Sequence, residues 1–452
     1  MARSTELSLS HLGGTLLRRR SVALVAAGTA SFGCPGPRTP REPEALPVTL
    51  TLEPDLGTVR GVAATEQRTF ASLTRAAAPD RASVTTVVAH QGEARAWSTT
   101  LIGEAGPIAA TPAAVAVTLT GTGTVGGAPV RGEPGGMIVG LDPATGRARW
   151  QLAAHTDEWV VVTSIAAVPG GFVVGGTFSG SLRLAQAVVT SGGSADGFVA
   201  RLTEAGEVAW LVRVGGAGPD TVEGVAARAD HIAVAGTFVA SAELQGHPLP
   251  AFDDRSPFPD AFVASLDARG AHQWSATFGG PQADSVVGVA IDARGDVVVA
   301  GTARGVVHVG GADLAAQGLA DGVLAWWSAT GTARHAVLVG GAEFDGLRGI
   351  TAVGPHVVVS GFFSGTLRLG DRTMVADGGD DAFLAAVDGG GSIAATWVVT
   401  GPGREEVSAL AAAPGGLVAG IAHTAPARID DAALPAPADP LAGAALIVRT
   451  HP

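Results

Sequence analysis

A segment of about sixty residues recurs along the chain, and this recurrence constrains the fold more than any single motif. DGFVARL (196–202), DAFVASL (260–266), DGVLAWW (321–327) and DAFLAAV (381–387) begin 64, 61 and 60 residues apart. Fourteen residues after the leading Asp stands Trp210, Trp274 or His335, and in the fourth copy Trp397 follows with a two-residue slip. A Gly pair and an acid come next, in GGAGPD (215–220), GGPQAD (279–284) and GGAEFD (340–345). GVAA (224–227), GVAI (288–291) and GITA (349–352) follow, and each unit closes on an apolar run such as HIAVAGTF (231–238) or DVVVAGT (296–302). The unit therefore holds four short strands: A (GVA type), B (VVVAG type), C (FVA-L type) and D (Trp type). Turn residues mark the A–B and C–D connections, as in DARGD (292–296) and DARGA (267–271). Strand B lacks the alternation of a one-sided sheet, so both of its faces should be buried.

Such a unit predicts a blade of a β-propeller, in which four-stranded sheets pack face to face around an axis. A parallel β-helix would have a shorter period, and a two-sheet sandwich would not repeat so regularly. B-type runs near 68, 114, 171, 231, 296, 356 and 415 predict seven blades. The last unit ends with AALIVRT (444–450) as strand C and has no strand D. VTLTLE (48–53), ahead of the first A strand (59–64), fills that vacancy and closes the ring, which removes the exposed sheet edges. The 452 residues, enough for about three ordinary domains, thus become one propeller over 48–452. The 65 glycines then belong to turns and close strand packing.

The N-terminal part reads as an address. Arg18, Arg19 and Arg20 precede an apolar run over 21–33, the pattern of a secretory signal and too short to span a bilayer. The single cysteine, Cys34, stands where the run ends. This resembles a bacterial lipoprotein signal: Gly33 suits the position before the Cys, whereas Ser31 and Phe32 depart from the usual lipobox. The resemblance implies that 1–33 is removed, that Cys34 is lipidated, and that the proline-rich stretch 34–47 is a tether. The protein is expected at the outer membrane or cell surface by its lipid, and otherwise periplasmic or secreted. The chain carries a net charge of −12, and without the four Arg and one Glu of the leader −15. An acidic body of this kind offers no footing for nucleic acid and leaves membrane attachment to the lipid.

The string DAFVASLDARGAHQWSATFGGPQADSVVGVAIDARGDVVVAGTARG (260–305) resembles the bacterial SBBP-type β-propeller repeat, with D-x-F-V, a Trp, F-G-G, a downstream Asp, V-A-x-D and V-x-V-x-G in order. The usual Tyr of the V-x-V strand is Val in this chain. The resemblance covers about 136–422 and implies an exported surface protein without an assigned reaction. LDPATGRARW (141–150) is similar to the PQQ-type propeller motif of envelope assembly lipoproteins but occurs once.

In a propeller the D–A and B–C loops share one face. An acid stands in the D–A loop of every blade: Asp55, Glu104, Asp157 or Glu158, Asp220, Asp284, Asp345, and Glu405 or Glu406. A ring of carboxylates at the channel mouth would suit Ca²⁺ or a cationic partner group; alternatively each acid caps its own turn. The B–C segments are long (178–196, 238–260, 303–321, 364–381, 423–443), with alternating stretches that predict extra hairpins, and long loops on a rigid scaffold are where binding residues collect. The recurrent Trp residues are expected to pack blade against blade. Catalytic signals are few: no G-x-S-x-G elbow, no phosphate-binding glycine loop, and no Tyr or Lys at all. The sequence therefore predicts a monomeric, non-enzymatic binding or scaffolding module for a protein or polysaccharide ligand, with no organic cofactor. The alternatives are an acid-dependent hydrolase or lyase and an envelope assembly factor.

Overall fold

The computed structural model describes residues 57–75, 83–92, 94–120, 135–253 and 256–434, together with the strands Glu6–Ser8, Val48–Leu52, Thr124–Val125, Ala128–Pro129 and Ala444–Thr450. Cys34, Asp55 and the tether 35–47 lie outside the described residues. Every described element is a strand, and the sheets are arranged as a β-propeller.

The unit is an antiparallel four-stranded sheet whose strands are consecutive in sequence. Thr221–Arg228, His231–Phe238, Asp260–Asp267 and His272–Phe278 form one such sheet, and Ser285–Ile291, Val297–Ala303, Asp321–Trp327 and Ala333–Val339 the next. Four others follow the same order from inner strands Thr58–Ala64, Glu104–Ala110, Trp159–Val168 and Gly346–Val353. A composite sheet joins Glu405–Ala413, Gly416–His423 and Ala444–Thr450 to Val48–Leu52, with Thr51 opposite Ile447. Glu6–Ser8 adds one further strand outside Val48–Leu52.

Packing follows from the sequence pattern. In the sheet running from Thr221 to Phe278 the second and third strands are buried on both faces: Ile232–Gly236 and Asp260–Leu266 are continuous buried runs. Their side chains meet those of the neighbouring sheet; Leu324 and Trp326 of one sheet share a cluster with Phe363 and Phe383 of the next. Inner strands approach closely, and the glycine of the GVA motif permits this. A Cβ on Gly224 would stand 2.9 Å from the Cα of Gly288 on the adjacent inner strand.

Sheets that radiate from an axis diverge at the rim, and the long B–C segments fill the resulting wedges. Ser181–Leu184 and Ala187–Thr190 form a hairpin that pairs with the outer strand of the preceding sheet, Ala148–His155. Ala242–Leu244 does the same on Val208–Gly216, and Arg428–Ile429 on Ile393–Thr400. Alternation decides which residues are inserted: Leu182, Leu184 and Leu244 are fully buried while Arg183 and Glu243 point out. Much of what reads in sequence as long binding loop is thus packing material.

Candidate functional site

Four of the D–A acids, Asp220, Asp284, Asp345 and Glu405, are buried between neighbouring sheets. The Gly216 N–H donates to Asp220 Oδ2 at 2.6 Å and the Val239 N–H to Oδ1 at 3.3 Å. Asp345 repeats this, accepting from Gly341 N–H at 2.6 Å and Ser364 N–H at 3.1 Å. Each of these two carboxylates therefore ties its own turn to the end of a B strand, the role that Asp has in turns generally.

Each of these acids also faces a second one. Asp196, Asp260, Asp321 and Asp381, the leading residues of the four C strands, stand 24 positions earlier and are themselves buried. They accept from the N–H groups of Gly192 (3.0 Å), Phe252 (2.7 Å), Gln317 (2.7 Å) and Asp377 (3.0 Å). The Gly pair makes room for them: a Cβ on Gly279 would lie 2.0 Å from Asp260 Oδ1, and one on Gly340 2.3 Å from Asp321 Oδ1. Asp321 Oδ1 has no hydrogen-bond donor among the described residues, whereas the Asp381 and Glu405 side chains bond to each other. Burial pushes the Asp220, Asp284 and Glu405 carboxyls up to about 7, and the charges of Asp196, Asp260 and Asp381 push in the same direction. Burial likewise raises Asp196, Asp260 and Asp381. Two carboxylates in one dry site cannot both ionise cheaply, so a proton on one member is the simplest way to hold the pair. Among the described residues the first pair alone has an arginine in ion-pair contact, Arg213, whose Nη1 lies 2.7 Å from Asp196 Oδ2, while the charge of His308 acts on Asp284.

The remaining acids differ. Glu104 is exposed and bridges to Arg60 at 2.8 Å. Asp157 is exposed and accepts from Ser181 N–H at 2.6 Å; Glu158 accepts from the Ser179 hydroxyl. The acids read from the sequence as one ring at the channel mouth are thus placed in two ways, Asp220, Asp284, Asp345 and Glu405 between sheets and Glu104, Asp157 and Glu158 at the surface. Among the described residues no group of three or more His, Cys, Asp or Glu could hold a metal ion. The leading Asp of each C strand escaped the sequence reading as a site residue, although its constant 24-residue offset from the D–A acid was there to be counted.

The axial channel is lined by other residues. The inner strands enclose a cavity of about 470 Å³ walled by Gly, Ala, Val, Ile, Ser and Thr. At one level every inner strand carries a β-bulge, falling at Arg60, Gly106–Pro107, Thr163, Glu223, Val287, Arg348 and Ser408. A bulge turns its extra residue out of the ladder, and the bulged Arg60, Glu223 and Arg348 are among the residues that line the cavity. The Arg348 guanidinium lies 4.6 Å from the Phe362 ring centre. Burial raises the Glu223 carboxyl, and the Thr221 hydroxyl partly offsets this.

On the opposite face the recurrent Trp residues hold neighbouring sheets together. The indole N–H groups of Trp97, Trp150, Trp210 and Trp274 donate to the carbonyls of Pro143, Glu204, Ala268 and Ala329 in the C–D turns of the next sheet, at 2.8–3.1 Å. Each ring covers a turn glycine; Gly270, at φ +81°, would place a Cβ 2.7 Å from the Trp210 ring. His335 takes the Trp position in the third copy and stacks on Trp326 at 4.5 Å.

No family model matches the chain, and no curated protein sequence matches it. Among solved structures it is similar to the β-propeller domain of the Trilobed protease from Pyrococcus furiosus, at 11% identity and a TM-score of 0.43, over 86% of this chain and 98% of that one. It is also similar to the Pyrococcus horikoshii acylaminoacyl peptidase, at 10% identity and a TM-score of 0.45, over 84% of this chain and 52% of that one. A third similarity is to Sqt1 from Chaetomium thermophilum, at 12% identity and a TM-score of 0.29, over 69% of this chain and 97% of that one. These likenesses concern the propeller fold alone.

Proposed function

We propose that the chain is an exported, seven-bladed propeller, closed by Val48–Leu52 and tethered through Cys34. It acts without chemistry of its own as a binding or scaffolding module, and its recognition surface is the face bearing the D–A and B–C loops. The observation that carries this reading is a polarity of surface. All ten exposed large apolar residues among the described residues (Trp159, Phe252, Phe258, Leu319 and Phe344 the largest) lie in D–A or B–C segments or at strand ends that meet them. The short-turn face has none. Apolar side chains gathered on one face mark an interaction surface more often than scattered ones do. The seven-bladed count is supported by the seven inner strands around one cavity, and by contact between Thr58–Ala64 and Glu405–Ala413. The reading as a binder rather than a hydrolase is supported by the burial of the paired acids, which present no carboxylate to a substrate.

The test is capture from envelope extract by the full chain, with two variants. A partner retained by Arg269→Glu on the short-turn face and lost with the double change Phe252→Ser, Phe258→Ser is expected. Equal loss with both, or capture indifferent to the Phe residues, contradicts the assignment of the face. Labelling with a radioactive fatty acid, lost in Cys34→Ser, tests the tether.

A further inference from the structure

The bulge ring sorts charge within the channel. Gly346–Val353, Glu405–Ala413 and Thr58–Ala64 are consecutive inner strands in mutual contact, and they contribute Arg348, Ser408 and Arg60. Glu223 lies on Thr221–Arg228, two inner strands beyond Arg348 in one direction and three beyond Arg60 in the other, and so across the cavity. Two arginines therefore stand on one arc of the wall and one glutamate on the opposite arc. Thr163 is engaged elsewhere, donating its hydroxyl to the Val222 and Gly175 carbonyls.

We propose that this level of the channel is a binding site for a small zwitterion of the amino-acid or short-peptide class, its carboxylate between Arg348 and Arg60 and its ammonium group at Glu223. The arginines are disposed for the task. Phe362 supports the flat face of the Arg348 guanidinium, which leaves the edges of the fork to meet a carboxylate. Arg60 is held only by Glu104, with both side chains over 40% exposed, and a solvent-screened pair of that kind exchanges readily for a ligand anion. A simple dianion would meet Glu223 unfavourably, and a diamine would meet the arginines, so a ligand bearing both charges satisfies both arcs. The cavity of about 470 Å³ is of the size that small-molecule sites have and excludes a folded partner. Its wall of small residues leaves charge, rather than shape, to set selectivity.

The site does not depend on the long-loop face proposed for a larger partner, and its test is separate. Titration calorimetry on the full chain would use L-alanyl-L-alanine, its N-acetyl derivative and inorganic phosphate. The free dipeptide is expected to bind saturably, at least tenfold more tightly than either of the others. Arg348→Gln should weaken it at least tenfold, whereas Glu223→Gln should abolish the preference for the free over the acetylated peptide. Melting temperatures of both variants check that they fold; Glu223→Gln is isosteric and keeps the test open if Arg348→Gln does not. No saturable dipeptide binding up to roughly 10 mM overturns the proposal. So do equal affinities for the free and acetylated forms, indifference to both substitutions, or binding of phosphate alone.

Discussion

The two faces of the propeller join the same neighbouring sheets by opposite chemistry. On the short-turn face the contacts are neutral or charge-matched. An indole lies over a turn glycine and donates to a carbonyl, Asp267 and Asp388 accept two N–H groups each from their own turns, and Arg334 reaches the buried Asp296 at 2.9 Å. On the long-loop face the junction is a pair of buried acids, and among the described residues one pair of the four has an arginine in ion-pair contact. The difference teaches that the short-turn face is sealed by hydrogen bonds and matched charges, while the face proposed for recognition is joined by paired acids, three of whose members are pushed up to about 7.

The largest effects should come from packing. Leu182→Ala removes a fully buried wedge residue of a B–C hairpin and should lower stability by about 2–4 kcal/mol in chemical denaturation. A cost under about 0.5 kcal/mol would show that the hairpin is a free loop after all. Gly270→Ala imposes a side chain at φ +81° against Trp210 and should cost roughly 1–3 kcal/mol, by the same amount at pH 5 and pH 8. A pH-dependent cost would erase the contrast between the faces.

The smallest effect at any one pH is the most specific. Folded-state carboxyls raised to about 7 bind protons that the unfolded chain has released, so their contribution to stability is full below about pH 4 and is lost as pH rises towards 7. Asp284→Asn supplies a neutral amide to Asp260 and should flatten this slope. The junction holding Arg213 sharpens the comparison, since Asp220→Asn should flatten the slope less.

Much of this architecture was legible in the sequence, and the reasons are physical. Strand order, turn sites and the Trp contacts follow from local pattern, because a strand buried on both faces and a turn needing positive φ each restrict residue type. The propeller fold followed from counting such units. The acid pairs were half legible: Asp220 and its equivalents stood out beside the glycines, but Asp196, Asp260, Asp321 and Asp381 looked like the mere start of a strand. Their burial depends on the approach of two sheets, which no single strand encodes. The channel site was hidden for a similar reason. Arg60, Glu223 and Arg348 belong to no recurring motif, and it is the bulge at each one that marks it out.

The contrast between the faces is tested most directly by the melting temperature of the wild-type full chain and of Asp284→Asn across pH 4 to 8. Asp284→Asn should gain melting temperature relative to the wild-type protein as pH rises from about 4 to 7, the range in which the raised Asp284 carboxyl gives up its proton. An Asp284→Asn curve that runs parallel to the wild-type curve over that range would contradict proton-sharing pairs at the long-loop face.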